Sequence, residues 1–134
     1  MRCPEHALRS RIAGLSLFAF TACATEIVRE PASLYPLAPS AQADYVVDAP
    51  IAVSSTSGYE RRVPAGSRWR LMGTISQGNV YRRVDDVFSI EGAHMHEAFL
   101  VVAGGQLVGF YLPVEKSYSP ARSTVPIAIE GRPR

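Results

Sequence analysis

Lysine is almost missing from this chain: Lys116 is the only one, and the other basic residues are all arginine. There is no run of like charges that would make an interaction tail, and no internal repeat. No window of about 11 or more residues in the C-terminal two-thirds carries a helical period. The longest apolar run, Ile12 to Ala22, has 11 residues. As a helix it would rise about 16 Å at about 1.5 Å per residue. A bilayer core of about 30 Å needs about 20 apolar residues, so this run is too short for a permanent transmembrane helix. Cysteine is scarce as well, with only Cys3 and Cys23.

What stands at the N-terminus explains that scarcity. Arg2, Arg9 and Arg11 precede the apolar run, and a polar, proline-containing stretch follows it. A positive start, an apolar centre and a small residue before the processing point make a secretory signal peptide. The segment Phe20-Thr21-Ala22-Cys23 resembles the lipobox of bacterial lipoproteins, with Phe20 where that family usually carries Leu. The resemblance implies that the Cys23 thiol is lipidated and becomes the mature N-terminus. It also implies a diacylglyceryl thioether plus an N-acyl chain; two or more chains hold a protein stably, where one holds it marginally. Ala24 in place of Asp implies sorting to the outer membrane. Ala22-Cys23-Ala24 also fits the small-x-small pattern of ordinary signal cleavage, which would remove Cys23 and release a soluble periplasmic protein. In the lipidated form the mature chain has one cysteine and no internal disulfide, and acylation removes a thiol that would mispair in an oxidising compartment.

The organisation that follows is a signal peptide over 1–22, a lipidated Cys23 with a tether over 23–43, and one β domain over 44–134. Pro31, Pro36 and Pro39 bias this segment to extended conformations, which makes it a flexible, semi-extended tether between lipid and domain; the alternative is that Leu34, Tyr35 and Leu37 pack onto the domain. The whole chain is formally +2; without Arg2, Arg9, Arg11 and Glu5 it keeps 11 basic and 11 acidic residues. A mature net charge of about zero argues against a nucleic-acid partner, which needs a basic face.

From Asp44 onward the apolar residues follow strand logic. Tyr45-Val46-Val47 and Ile51-Ala52-Val53 are short β-branched runs on either side of a turn at Asp48-Ala49-Pro50. Along Arg68–Ile75 the alternation places Trp69, Leu71, Gly73 and Ile75 on one face and Arg68, Arg70, Met72 and Thr74 on the other. The clearest unit is Glu97–Leu112, two apolar runs flanking Gly104-Gly105, the signature of a tight primed hairpin turn. This hairpin is apolar on both faces, with Phe110 and Tyr111 opposed, so both faces need covering, from within the fold or by a partner. Pro126 restricts the last strand, Thr124–Ile129, to a sheet edge. The expected fold is all-β, a small antiparallel barrel or sandwich of about six to eight strands.

Two constellations carry candidate chemistry. His94 and His96, two apart on a strand, would share a face and reach one metal, with Glu115 or Asp86 as third ligand; the pair lacks the glycine and glutamate spacings of the cupin pattern. Arg68, Arg70 and Arg82 on adjacent strands would form a basic strip for a carboxylate- or phosphate-bearing ligand, unless Glu60, Asp85 and Asp86 pair with it. Serines such as Ser54, Ser55 and Ser57 lack a Gly-x-Ser-x-Gly elbow, and Gly104-Gly105 opens no helix that would cradle phosphate. No cofactor is called for. Pro64 to Glu115 is similar in style to the compact β domains of small proteobacterial lipoproteins, a resemblance that carries over no functional residue. The expectation is a non-enzymatic outer-membrane lipoprotein, held at the membrane by its lipid and facing the periplasm. It would act on an envelope protein partner through the two-sided hairpin. The alternatives are an anionic-ligand module using the arginine strip and a His-x-His metal protein.

Overall fold

The computed structural model describes residues 25–132, with side chains through Ile129; the signal peptide expected over 1–22, together with Cys23 and Ala24, lies outside the described residues. The strands in chain order are β1 (Glu30–Pro31), β2 (Tyr35–Pro36), β3 (Asp44–Val47), β4 (Ile51–Ser54), β5 (Glu60–Val63), β6 (Arg68–Ile75) and β7 (Gly78–Arg83). They continue with β8 (Ser89–Glu91), β9 (Met95–Glu97), β10 (Phe99–Ala103), β11 (Gln106–Leu112), β12 (Ser117–Pro126) and β13 (Ile129–Arg132). Among the described residues the only helical piece is a 3₁₀ turn at Pro39–Ala41.

The main sheet is antiparallel and runs β1-β12-β11-β10-β7-β6-β3-β13, with β2 added beside β6. Its connectivity forces it to curl. Only Ile127 and Ala128 join β12 to β13, three Cα steps that span about 11 Å at most. A flat sheet would separate those two strands by six inter-strand steps, roughly 29 Å at about 4.8 Å each. The sheet therefore bends into a half-barrel, the form taken by the expected all-β architecture. The β4–β5 and β8–β9 hairpins pair only within themselves, and their Ile51, Val53, Val63 and Ile90 join the core in the hollow of the sheet.

That inner core gathers Trp69, Tyr81, Leu100, Leu107, Phe110 and Leu112. A second, smaller cluster lies on the outer face: Ile75, Val80, Phe99, Val101, Tyr111 and Tyr118, with Ala32, Leu34 and Val108 against it. The β10–β11 hairpin feeds both layers, Leu100 and Phe110 inward and Phe99 and Tyr111 outward, as its two-sided apolar pattern requires. Its turn has Gly104 at φ +57° and Gly105 at φ +73°, the left-handed pair of a primed turn. Phe110 and Tyr111 do fall on opposite faces.

Strict alternation fails on β6. Leu71 pairs with Tyr81 but Gly73 pairs with Val80, a bulge that leaves Met72 without a partner of its own. One extra residue reverses the side-chain phase. Trp69 and Leu71 belong with the inner core while Ile75 belongs with the outer cluster, so the single face expected for Trp69, Leu71, Gly73 and Ile75 is split in two.

Residues 25–38 are extended and lie on the domain, followed by the 3₁₀ turn at Pro39–Ala41. Ile27 is 4% exposed, within the inner core. Glu30 pairs with Tyr118 and Tyr35 with Thr74, and the Leu37 N–H donates to the Met72 carbonyl at 2.8 Å. Ala32 and Leu34, between these anchor points, cover the outer apolar face of the hairpin, so that face is closed by the chain's own N-terminal strap. The strap crosses β6 at its one position without a side chain: a Cβ on Gly73 would collide with the Tyr35 carbonyl oxygen and stand 2.8 Å from the Pro36 Cα.

Gly73→Ala is therefore expected to push the strap off β6 at a cost of about 1–3 kcal/mol, the range for overpacking. Urea unfolding should show the loss, and amide exchange at Leu37 should rise far more than exchange within β10.

Candidate functional site

The β8–β9 hairpin does not give its two histidines one face. His94 sits in the bend, outside the strand period, and is exposed; Met95, His96 and Glu97 alternate exposed, buried, exposed. His96, 5% exposed, points inward between two carboxylates from distant parts of the chain. Its Nδ1 lies 2.7 Å from Glu115 Oε1, in the β11–β12 turn. Its Nε2 lies 3.4 Å from Glu26 Oε1, on the strap. An ionised carboxylate only accepts, so Nδ1 carries a proton and donates it to Glu115; Nε2 donates to Glu26 whenever the ring is cationic. Arg29 Nη1 stands 4.0 Å from the same Glu115 oxygen, and Glu115 Oε2 is buried without a partner among the described residues.

The structure thus brings His96 together with Glu115, one of the two carboxylates expected near it, and leaves His94 and Asp86 apart. Asp86 accepts from the Val87 N–H at 2.7 Å instead. Among the described residues no group of three or more histidine, cysteine or acidic side chains is arranged to hold a metal ion. Glu26 was missing from the sequence reading, because nothing local marks a strap residue as the partner of a histidine 70 positions away.

The cluster belongs to a larger clasp on the strap. The Ile27 N–H donates to its neighbour's Glu26 Oε1 at 3.0 Å, and the Val28 N–H donates to Thr56 Oγ1 at 2.7 Å. The Ser119 hydroxyl donates to the Val28 carbonyl at 2.6 Å. Ser57 donates to the Glu91 carbonyl, tying the β4–β5 tip to the β8–β9 hairpin on which Glu26 rests. Burying Ile27 contributes roughly 1.5–3 kcal/mol, comparable to two or three hydrogen bonds at about 1 kcal/mol net each. Apolar and polar anchoring of the strap are thus of similar weight. The Glu26 carboxyl is held below the usual carboxylate range, first by the Ile27 N–H and then by the His96 ring, with desolvation opposing both.

The arginine strip exists in geometry, since Arg70 pairs directly opposite Arg82. Two of its members are neutralised by a residue the sequence reading had not considered. Asp44, 7% exposed and in register with Arg70, accepts from Arg70 Nε at 2.7 Å and from Arg68 Nη2 at 3.1 Å. Arg68 also reaches Asp85 at 3.8 Å. The hydrogen bond to Asp44 holds the Arg70 guanidinium further toward its charged form. Arg82 is exposed and has no ion pair among the described residues. Arg83 lies over the Trp69 ring at 5.7 Å and Arg61 over the Phe88 ring at 5.4 Å, so both cover the rim of the inner core with their stems.

Removing the imidazole in His96→Ala would leave half-buried Glu115 without its 2.7 Å partner and open a cavity beside it, and a stability loss of about 2 kcal/mol is expected in urea titration. The Glu26 carboxyl makes its contribution depend on pH. Its pKa is depressed in the folded chain, so its contribution is present above the ordinary carboxylate pKa and is lost as pH falls through the lower folded value. Glu26→Gln keeps an acceptor for the Ile27 N–H but does not ionise. Its destabilisation relative to wild type should shrink steadily between pH 6 and pH 3, as read by thermal midpoints.

No protein-family model matches the chain, and no curated protein and no solved structure is similar to it.

Proposed function

We propose that this chain is a non-enzymatic outer-membrane lipoprotein, anchored through an acylated Cys23, whose β domain faces the periplasm and serves as an envelope or assembly accessory through protein–protein contacts. The observation that carries this reading is the position of Cys23. It ends the only apolar run of signal-peptide length and stands four residues before Ile27, where the chain is already part of the core. A lipidated cysteine there would hold a folded head with almost no intervening chain. A non-enzymatic role is supported by His96, the one buried histidine among the described residues, whose two ring nitrogens both face carboxylates and so serve no nucleophile.

The hairpin expected as the partner surface is covered by Ala32 and Leu34, which moves the contact surface elsewhere. The outer face of β6 and β7 suits a protein contact better. It carries exposed Arg82 and Arg68. Arginine is among the residue types that dominate interface energetics. Arg82 also favours the second reading, a site for a carboxylate- or phosphate-bearing ligand, because it is the one member of the strip with no carboxylate partner among the described residues.

Two measurements test the pair of readings. Wild-type protein is expected to partition into detergent with acyl mass on Cys23, and Cys23→Ala to partition into water; a mature chain beginning at Thr25 without acyl mass overturns the lipoprotein reading. Arg82→Ala should lower cross-linking to envelope proteins several-fold while leaving the thermal midpoint within about 2 °C, as expected for an exposed side chain. Saturable binding of inorganic phosphate or a small dicarboxylate, lost in Arg82→Ala with cross-linking intact, would instead favour the ligand reading.

A further inference from the structure

The end of the half-barrel where the strap enters differs from the rest of the surface. β11 runs from the Gly104-Gly105 turn at one end to the Pro113–Lys116 turn at the other, and the Glu26–His96–Glu115 cluster lies at the second end. Of the six large apolar side chains that are exposed among the described residues, Val28, Met95 and Val114 immediately flank that cluster, at 61%, 60% and 77% exposure. Tyr59 belongs to the β4–β5 tip tied to the same hairpin, and Val87 follows β7 at the same end. Only Tyr35 lies elsewhere. Arg29, 4.0 Å from Glu115, and Lys116 stand exposed among these side chains, as do the acids Asp85 and Asp86 before Val87 and Glu97 after His96.

We infer that this end is a membrane-contact surface, on which Val28, Met95 and Val114 enter the headgroup layer of the bilayer while Arg29 and Lys116 meet lipid phosphates. The inference rests on the acylated Cys23 of the preceding section. From Cys23 to buried Ile27 there are four residues, a reach of about 14 Å when fully extended. The headgroup layer on each side of a bilayer takes up about 5–7 Å of that. A domain of about 100 residues has a radius of gyration of about 13 Å, so it is wider than what remains of the leash and cannot turn its other end to the membrane. The occupant of the apolar end is then the lipid to which the chain is already tied. Side chains that would be a liability in water are accounted for by proximity alone.

The test uses full-length, processed protein, in which Cys23 is blocked by its lipid. Val114→Cys, Met95→Cys and, at the opposite end, Ser76→Cys each receive an environment-sensitive fluorophore. Each protein is reconstituted into vesicles of phosphatidylethanolamine and phosphatidylglycerol containing nitroxide-headgroup lipid. Quenching several-fold stronger at positions 114 and 95 than at 76 is expected. Acylated protein that floats with the vesicles but shows equal quenching at all three positions overturns the orientation and leaves the anchor standing. Protein without acyl mass that stays in the aqueous fraction overturns both.

Discussion

A hairpin that is apolar on both faces needs two covers, and the rest of this fold is arranged to supply them. Leu100, Leu107, Phe110 and Leu112 turn one way, Phe99, Val101 and Tyr111 the other. Curling the sheet encloses the first set, with the β4–β5 and β8–β9 hairpins filling the hollow. Curling cannot cover the second set, because a barrel has only one inside. The outer set is instead closed by chain that precedes the sheet, laid across it from Ile27 to Leu37.

Such a strap has too little surface to hold itself down by apolar contact alone, so its first residues are clasped. Ile27 is inserted into the inner core, its neighbour Val28 exchanges hydrogen bonds with Thr56 and Ser119, and Glu26 shares His96 with Glu115. Placing a buried imidazole between two carboxylates ties three elements far apart in sequence to a single point. The consequence is geometric: the chain is folded into the core at Ile27, four residues after Cys23.

The charged face of β6 and β7 shows how strongly register decides electrostatics. Arg68, Arg70 and Arg82 do line up, yet Asp44 on β3 stands opposite Arg70 and takes two of the three guanidinium groups. The surface that remains is a single cation beside a satisfied pair rather than a basic strip. Such a surface has less pull on a polyanion than three free guanidinium groups would have.

Local pattern was enough for the all-β class, the tight turn at Gly104-Gly105, the opposed rings of Phe110 and Tyr111, the extended strap and the proximity of Arg70 to Arg82. Each of these depends on residue type and on a period of two, which the chain displays directly. The Met72 bulge, the Asp44 pairing, the Glu26–His96–Glu115 cluster and the cover over the hairpin depend on which strands lie beside which. A one-residue bulge is invisible in an alternating sequence, and a contact across 70 residues leaves no local trace. The sequence by itself determined that two apolar faces had to be buried and placed an apolar run of 11 residues ahead of Cys23. Only the tertiary structure decided that the chain following that cysteine does the covering, because loop closure between distant segments is set by how the sheet curls and not by any periodicity along the chain.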